Sequence, residues 1–173
     1  VRQGVHIELQ RTGDVGEDGE MIFCWSDTRF GDRDIFAQKV AVNGEPLWVA
    51  NGAPVVIHSG RQEDPILVSD DSGGAYVIWV DYRYEPEDGD IFGQHILADG
   101  SLAWNEDGVP LTIVPGKQIT PNMSMDGIGG AFVIWNDKST NQNGEIYATH
   151  LSADGTILNP EVGIPIISGG GTH

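Results

Sequence analysis

The sequence predicts an all-β chain built from three copies of one four-stranded antiparallel unit. Three observations carry this expectation. Short apolar runs alternate with turns rich in Gly, Asp and Pro. One set of anchor residues returns three times in phase. Helical periodicity is absent, and the 24 Gly and 9 Pro would break any candidate helix.

The repeat is read most easily from "WSDTRFGDRDIFAQ" (Trp25 to Gln38). It returns as "WVDYRYEPEDGDIFGQ" (Trp79 to Gln94) and, worn, as "WNDKSTNQNGEIYAT" (Trp135 to Thr149). Gly52, Gly108 and Gly163 align, as do Pro54, Pro110 and Pro165. Upstream, Arg2-Gln3, Arg61-Gln62 and Lys117-Gln118 align. The period is 54 to 59 residues, which divides a single repeat domain, 1–173, into units 3–61, 62–117 and 118–173.

In the middle unit, strand a is expected at Pro65 to Ser69 and strand b at Ala75 to Val80. A loop from Asp81 to Asp90 leads to strand c, Ile91 to Leu97. Strand d covers Leu102 to Trp104 and resumes at Val109 to Val114. In strand b, Ala75, Val77 and Trp79 alternate with Tyr76, Ile78 and Val80, so both faces are apolar and both should be covered. A small sheet covered on both faces and repeated at about this length describes a β-propeller blade. A β-sandwich module needs roughly 100 residues and about seven strands, too many for this period. Trp25, Trp79 and Trp135 then belong to the core, with Asp137 a structural position beside the last.

Along "GGAYVIWVDYR…DGDIFGQHILADGSLAW" (Gly73 to Trp104) the units resemble the blades of repeat β-propellers in secreted and surface-attached bacterial proteins. That resemblance implies an extracellular or cell-surface binding or scaffold role, non-enzymatic, and names no ligand. The Asp-box pattern Ser-x-Asp-x-Gly-x-x-Trp is not met. The ends fall in phase, with Gln3 opening the first unit and His173 standing where a fourth copy would place its Gln. Three blades would leave two apolar faces needing cover. The cover is expected from further blades of a longer chain, from a second copy completing a six-bladed ring, or from another partner.

Charge narrows the partners. With 26 Asp and Glu against 9 Lys and Arg, the formal net charge of −17 repels phosphate backbones and anionic lipid, so nucleic acid is not expected. No stretch approaches the ~18 apolar residues of a membrane span, so membrane insertion is not expected either. One cysteine, Cys24, lies in an apolar run and reads as a buried thiol.

Two readings compete for the b–c loops. No cofactor is required, but Ca²⁺ is the one the acids could hold, with oxygens from Asp27, Asp32 and Asp34 and from Asp81, Asp88 and Asp90. Glu87 extends the second set, and Asp137, Asn141, Asn143 and Glu145 form a poorer third. Alternatively the loop is a clasp, in which the planar fork of Arg29, and of Arg83 after it, bonds the facing carboxylates Asp27 and Asp34 or the carbonyls of the turn. Lys138 and Ser139 stand near those positions in the third copy, which loses the fork. Arg29, Arg83, Trp48 and Trp104 are the candidates for a glycan or protein ligand, because exposed indoles stack on sugar faces. The competing reading packs Trp48 and Trp104 over the blade edge, with Asn159 third in the series. No GxSxG, HExxH or phosphate loop is present, so catalysis has little support. The alternative function is a segment of a glycan-active, sialidase-like or lectin-like propeller. His95 and His150 are equivalent, with Lys39 third, and read as surface or packing residues.

Overall fold

The computed structural model describes residues 7–15, 19–140, 143–158 and 162–167. The expectations placed on Arg2, Gln3, Asn141, Asn159 and His173 lie outside them. Three antiparallel sheets follow one another along the chain. The first is β1 (Ile7–Val15), β2 (Met21–Asp27), β3 (Asp34–Val40) and β4 (Ala53–Val56), in that order. The second is β5 (Gln62–Ser69), β6 (Ala75–Asp81), β7 (Asp90–Ile96) and β8 (Val109–Thr112). The third is β9 (Gln118–Met125), β10 (Ala131–Asp137) and β11 (Glu145–Leu151), with β12 (Ile157–Leu158) and β13 (Ile164–Ile167) both on β11. The fold is that of a partial β-propeller, with the sheets stacked face to face as blades.

Two expected boundaries shift for a physical reason. Asp81 and Asp90 lie inside strands as a register pair, as do Asp27 and Asp34, so the second loop is 82–89. The first half of strand d reduces to single bridges, Val40↔Pro46 and Ile96↔Leu102. A side-chain amide takes over from the ladder there. Gln94 accepts the N–H of His95 and Trp104 and donates to the Asn105 carbonyl. Gln38 does the same with Lys39, Trp48 and Val49.

Every residue of β6 is buried. Its Ala75, Val77 and Trp79 pack with Ile22, Cys24, Ala37 and Val55 of the first blade. Its Tyr76, Ile78 and Val80 pack with Val133, Trp135 and Leu151 of the third. The blades therefore stack by one rule, the second face of each on the first face of the next. The two end faces have no such neighbour among the described residues, as three blades without closure imply, and this corrects the core placement expected of Trp25. Phe132 is 55% and Ile134 45% exposed, and Trp25 is only half-buried where Trp79 and Trp135 are fully covered.

Trp48 and Trp104 are the second correction. Trp48 is 8% exposed and donates its indole N–H to the Ala98 carbonyl of the next blade at 2.9 Å. Trp104, half-buried, donates to Ala153 at 3.2 Å and lies against Tyr76 and His95. Each ring sits on the c–d turn of the following blade, with Gly100 and Gly155 directly beneath. Neither is an exposed platform, because blade stacking covers the outer strand at this end.

The aligned glycines also follow from a tryptophan. Gly108 has φ +76°, and a Cβ there would lie 2.6 Å from the Trp79 ring and 2.9 Å from the Gly93 carbonyl. Gly52 and Gly163 stand in the same relation to Trp25 and Trp135. We expect Gly108→Ala to cost about 2 kcal/mol or more, from left-handed strain plus the clash. Trp48→Ala should cost about 3 kcal/mol. Urea unfolding of each variant, with the m-value held, measures both.

Candidate functional site

Each strand b ends in a buried aspartate two residues after its tryptophan, and this pair builds the loop face. Asp27 and Asp81 have no exposed surface. A carboxylate so placed needs a partner charge and hydrogen bonds. Trp25 and Trp79 donate their indole N–H to Oδ2 at 2.9 and 2.8 Å. Arg29 reaches both oxygens of Asp27 through Nε and Nη2, and Arg83 does likewise with Asp81. The remaining guanidinium donors bond the Asn51 and Asp107 carbonyls, which lead into strand d. The fork lies over a ring of strand c, Arg29 at 3.8 Å from the Phe36 centroid and Arg83 at 4.0 Å from that of Phe92.

The facing aspartates do not share the arginine, which corrects the two-carboxylate clasp. Asp34 instead accepts the His58 N–H at 3.2 Å. Burial, and then the nearby charges of Asp27 and Asp32, push its carboxyl up to about 6. Asp90 repeats the arrangement with the Val114 N–H, and burial followed by Asp81 and Asp88 raises it to about 6. Asp27 moves the other way. Burial raises it, but the side-chain and backbone hydrogen bonds from Arg29, together with the Trp25 indole, more than offset this and hold it below the ordinary aspartate value.

Beside each raised aspartate lies a cleft. In the second blade it measures about 320 Å³ and is bounded by Tyr84, Asp88, Asp90 and Ile113 to Pro115. In the first it measures about 230 Å³ between Phe30, Asp32, Asp34, Ile57 and His58. The two are equivalent in sequence and in build. Phe30 and Tyr84 are 65% and 57% exposed and rest on Phe36 and Phe92 at ring distances of 6.2 and 6.3 Å. Each cleft thus offers an open aromatic wall, a buried carboxyl near half-protonation at mildly acidic pH, and a second, more accessible acid.

The six aspartates of the first two loops considered for Ca²⁺ are divided by this geometry. Asp27 and Asp81 are held by arginine, while Asp32 with Asp34, and Asp88 with Asp90, face the clefts. Among the described residues, no group of three or more His, Cys, Asp or Glu is placed to hold a metal ion. Asp137 closes the third strand b, buried and bonded by the Ser139 N–H and hydroxyl.

The opposite end carries a feature that sequence reasoning passed over. Asp70 Oδ1 accepts the N–H of Ser72 and Gly74, closing the a–b turn, and Oδ2 meets His95 Nε2 at 2.8 Å. Asp126 and His150 repeat this at 2.7 Å. In the first blade Lys39 pairs with Glu20. The spacing of Asp70-x-x-Gly-Gly and Asp126-x-x-Gly-Gly was the available signal. His95 stacks on Tyr76 at 4.3 Å, and Tyr76 donates its hydroxyl to the Gly129 carbonyl of the third blade.

Arg83→Met should destabilise by about 3–5 kcal/mol, because it leaves Asp81 charged and buried without a cation; thermal and urea unfolding at pH 7 measure this. Asp34 and Asp90 also set a pH dependence. Their folded-state values, about 6, exceed the ordinary 3.8, so the folded chain binds more protons between those limits. Their contribution favours folding below about pH 4 and is lost as pH rises through 6. Asp90→Asn should therefore raise Tm at pH 7 relative to the parent, with the difference shrinking toward pH 4.

No protein-family model matches the chain, and no curated protein matches it in sequence. Among solved structures, an endo-arabinase from Bacteroides thetaiotaomicron aligns with TM-score 0.52 and 13% identity over 92% of this chain and 61% of its own. A thermostable family-43 glycoside hydrolase aligns with TM-score 0.54 and 13% identity over 92% of this chain and 53% of its own. The chain thus spans little more than half the length of these proteins, and what it shares with them is the β-propeller fold.

Proposed function

We propose that this chain is a non-enzymatic binding segment of a β-propeller and that the b–c clefts of its first two blades take carbohydrate. The observation that carries this is the repetition of one cleft chemistry, Phe30 with Asp32 and Asp34, then Tyr84 with Asp88 and Asp90. An open aromatic ring suits the apolar face of a sugar, and the paired carboxyls accept from its hydroxyls. Two such sites on one rigid face bind a repeating glycan with avidity. The fold shared with two glycoside hydrolases supports the choice of ligand class. Further blades of the same polypeptide, or a second copy, are the partners that suit the exposed Phe132 and Ile134 face. We read the location as extracellular or cell-surface.

A second reading, glycan cleavage, rests on Asp34 and Asp90. A carboxyl pushed up to about 6 is suited to donate a proton to a leaving oxygen.

Calorimetry against neutral oligosaccharides, arabino-oligosaccharides included, tests the binding reading. Tyr84→Ala should weaken binding about tenfold, and the Phe30→Ala/Tyr84→Ala pair should abolish it. Binding that ignores both changes would overturn the reading. Product release lost in Asp90→Asn would favour the second.

A further inference from the structure

We infer that the third blade carries a guanidinium-binding site, formed where the first two blades insert an arginine of their own. This does not depend on the carbohydrate reading, because it concerns a different blade and a different ligand.

The frame of the clasp is intact in the third blade. Trp135 stacks on Tyr147 at 6.1 Å and 25°, as Trp25 does on Phe36 at 6.3 Å and 27°, and Trp79 on Phe92 at 6.2 Å and 27°. Asp137 ends strand b as Asp27 and Asp81 do, 3% exposed. Gly163 has φ +74° and packs under Trp135, as Gly52 and Gly108 pack under their tryptophans. Val162 precedes it as Asn51 and Asp107, whose carbonyls bond the arginines, precede theirs. The cation is missing, since Ser139 stands where Arg29 and Arg83 stand, while Tyr147 replaces Phe36 and Phe92, and Glu145 replaces Asp34 and Asp90.

Two consequences of that exchange are visible. The indole N–H of Trp135 is buried with no hydrogen-bond partner among the described residues, although its counterparts bond their aspartates. The Tyr147 ring is half-buried, whereas Phe36 and Phe92, lying under guanidinium groups, are each 2% exposed. The Tyr147 hydroxyl bonds Glu145, the register partner of Asp137, so a second carboxylate borders the ring. Lys138 forms no ion pair among the described residues. A ring face beside a buried carboxylate selects a flat cation that stacks and donates in one plane, which a guanidinium does and an ammonium does not.

The test uses the whole chain with agmatine as the free guanidinium and Ac-Gly-Arg-Gly-NH₂ as the peptide-borne one. The Trp135 indole N–H resonance reports occupancy. Agmatine should shift it with a dissociation constant on the order of 1 mM, as a single ion pair with ring stacking allows. Butylamine should shift it at least about tenfold less effectively. Saturation by the peptide at lower concentration than agmatine assigns the natural source to a protein arginine, and the reverse assigns it to a small molecule. Ser139→Arg should rebuild the clasp, raising Tm by about 2–4 °C, moving the indole resonance without ligand and abolishing the agmatine response. Asp137→Asn should lose the response as well. No shift with either ligand, or an equal response in Ser139→Arg, would overturn the site.

Discussion

A carboxylate with no solvent exposure must be neutralised where it stands, and the loop face is arranged around how Asp27 and Asp81 meet that demand. The indole two residues earlier and the guanidinium two residues later close on the same side chain. The guanidinium cannot reach it without lying over Phe36 or Phe92 and touching the carbonyl ahead of Gly52 or Gly108. One charge therefore ties strands b, c and d and the glycine that lets the tryptophan ring lie flat. The facing aspartate is left outside the arrangement. Having no arginine of its own, it carries the electrostatic cost as a raised proton affinity, and that chemistry then faces the cleft.

Much of this was legible in the sequence because it is local. The fork joins residues two apart, and the repeat shows it twice. The alternation of Ala75 to Val80 announced a strand covered on both faces. The histidine–aspartate pairs were only half legible, since the Asp-x-x-Gly-Gly turn repeats but Asp70 and His95 meet from 25 residues apart. Trp48 reads the same whether its ring faces solvent or a neighbouring blade, and its partner carbonyl lies 50 residues away. Uneven burial at the two ends is likewise invisible in a repeat. Phe132 and Tyr76 occupy equivalent positions, and only the position of a blade in the stack separates an exposed ring from a buried one.

Neighbouring blades are pinned along both edges as well as by their apolar faces. At the loop end, the Gln62 N–H bonds the Arg33 carbonyl while the Arg33 side chain meets Glu63. Gln118 repeats the backbone bond with Gly89. At the other end, Trp48 and Tyr76 reach carbonyls of the next blade. Directional bonds on both sides of a non-directional core hold neighbouring blades to one rotation, which keeps the two clefts in a constant relation.

The stacking rule has a further meaning. Because each blade offers one kind of face and receives another, an array of them has polarity, as a filament has distinct growing and trailing ends. A pairing of two like ends would not repeat the contact that joins the blades here. Repeating that contact extends an array in one sense only, and a ring is the single arrangement in which the polarity remains and both ends disappear.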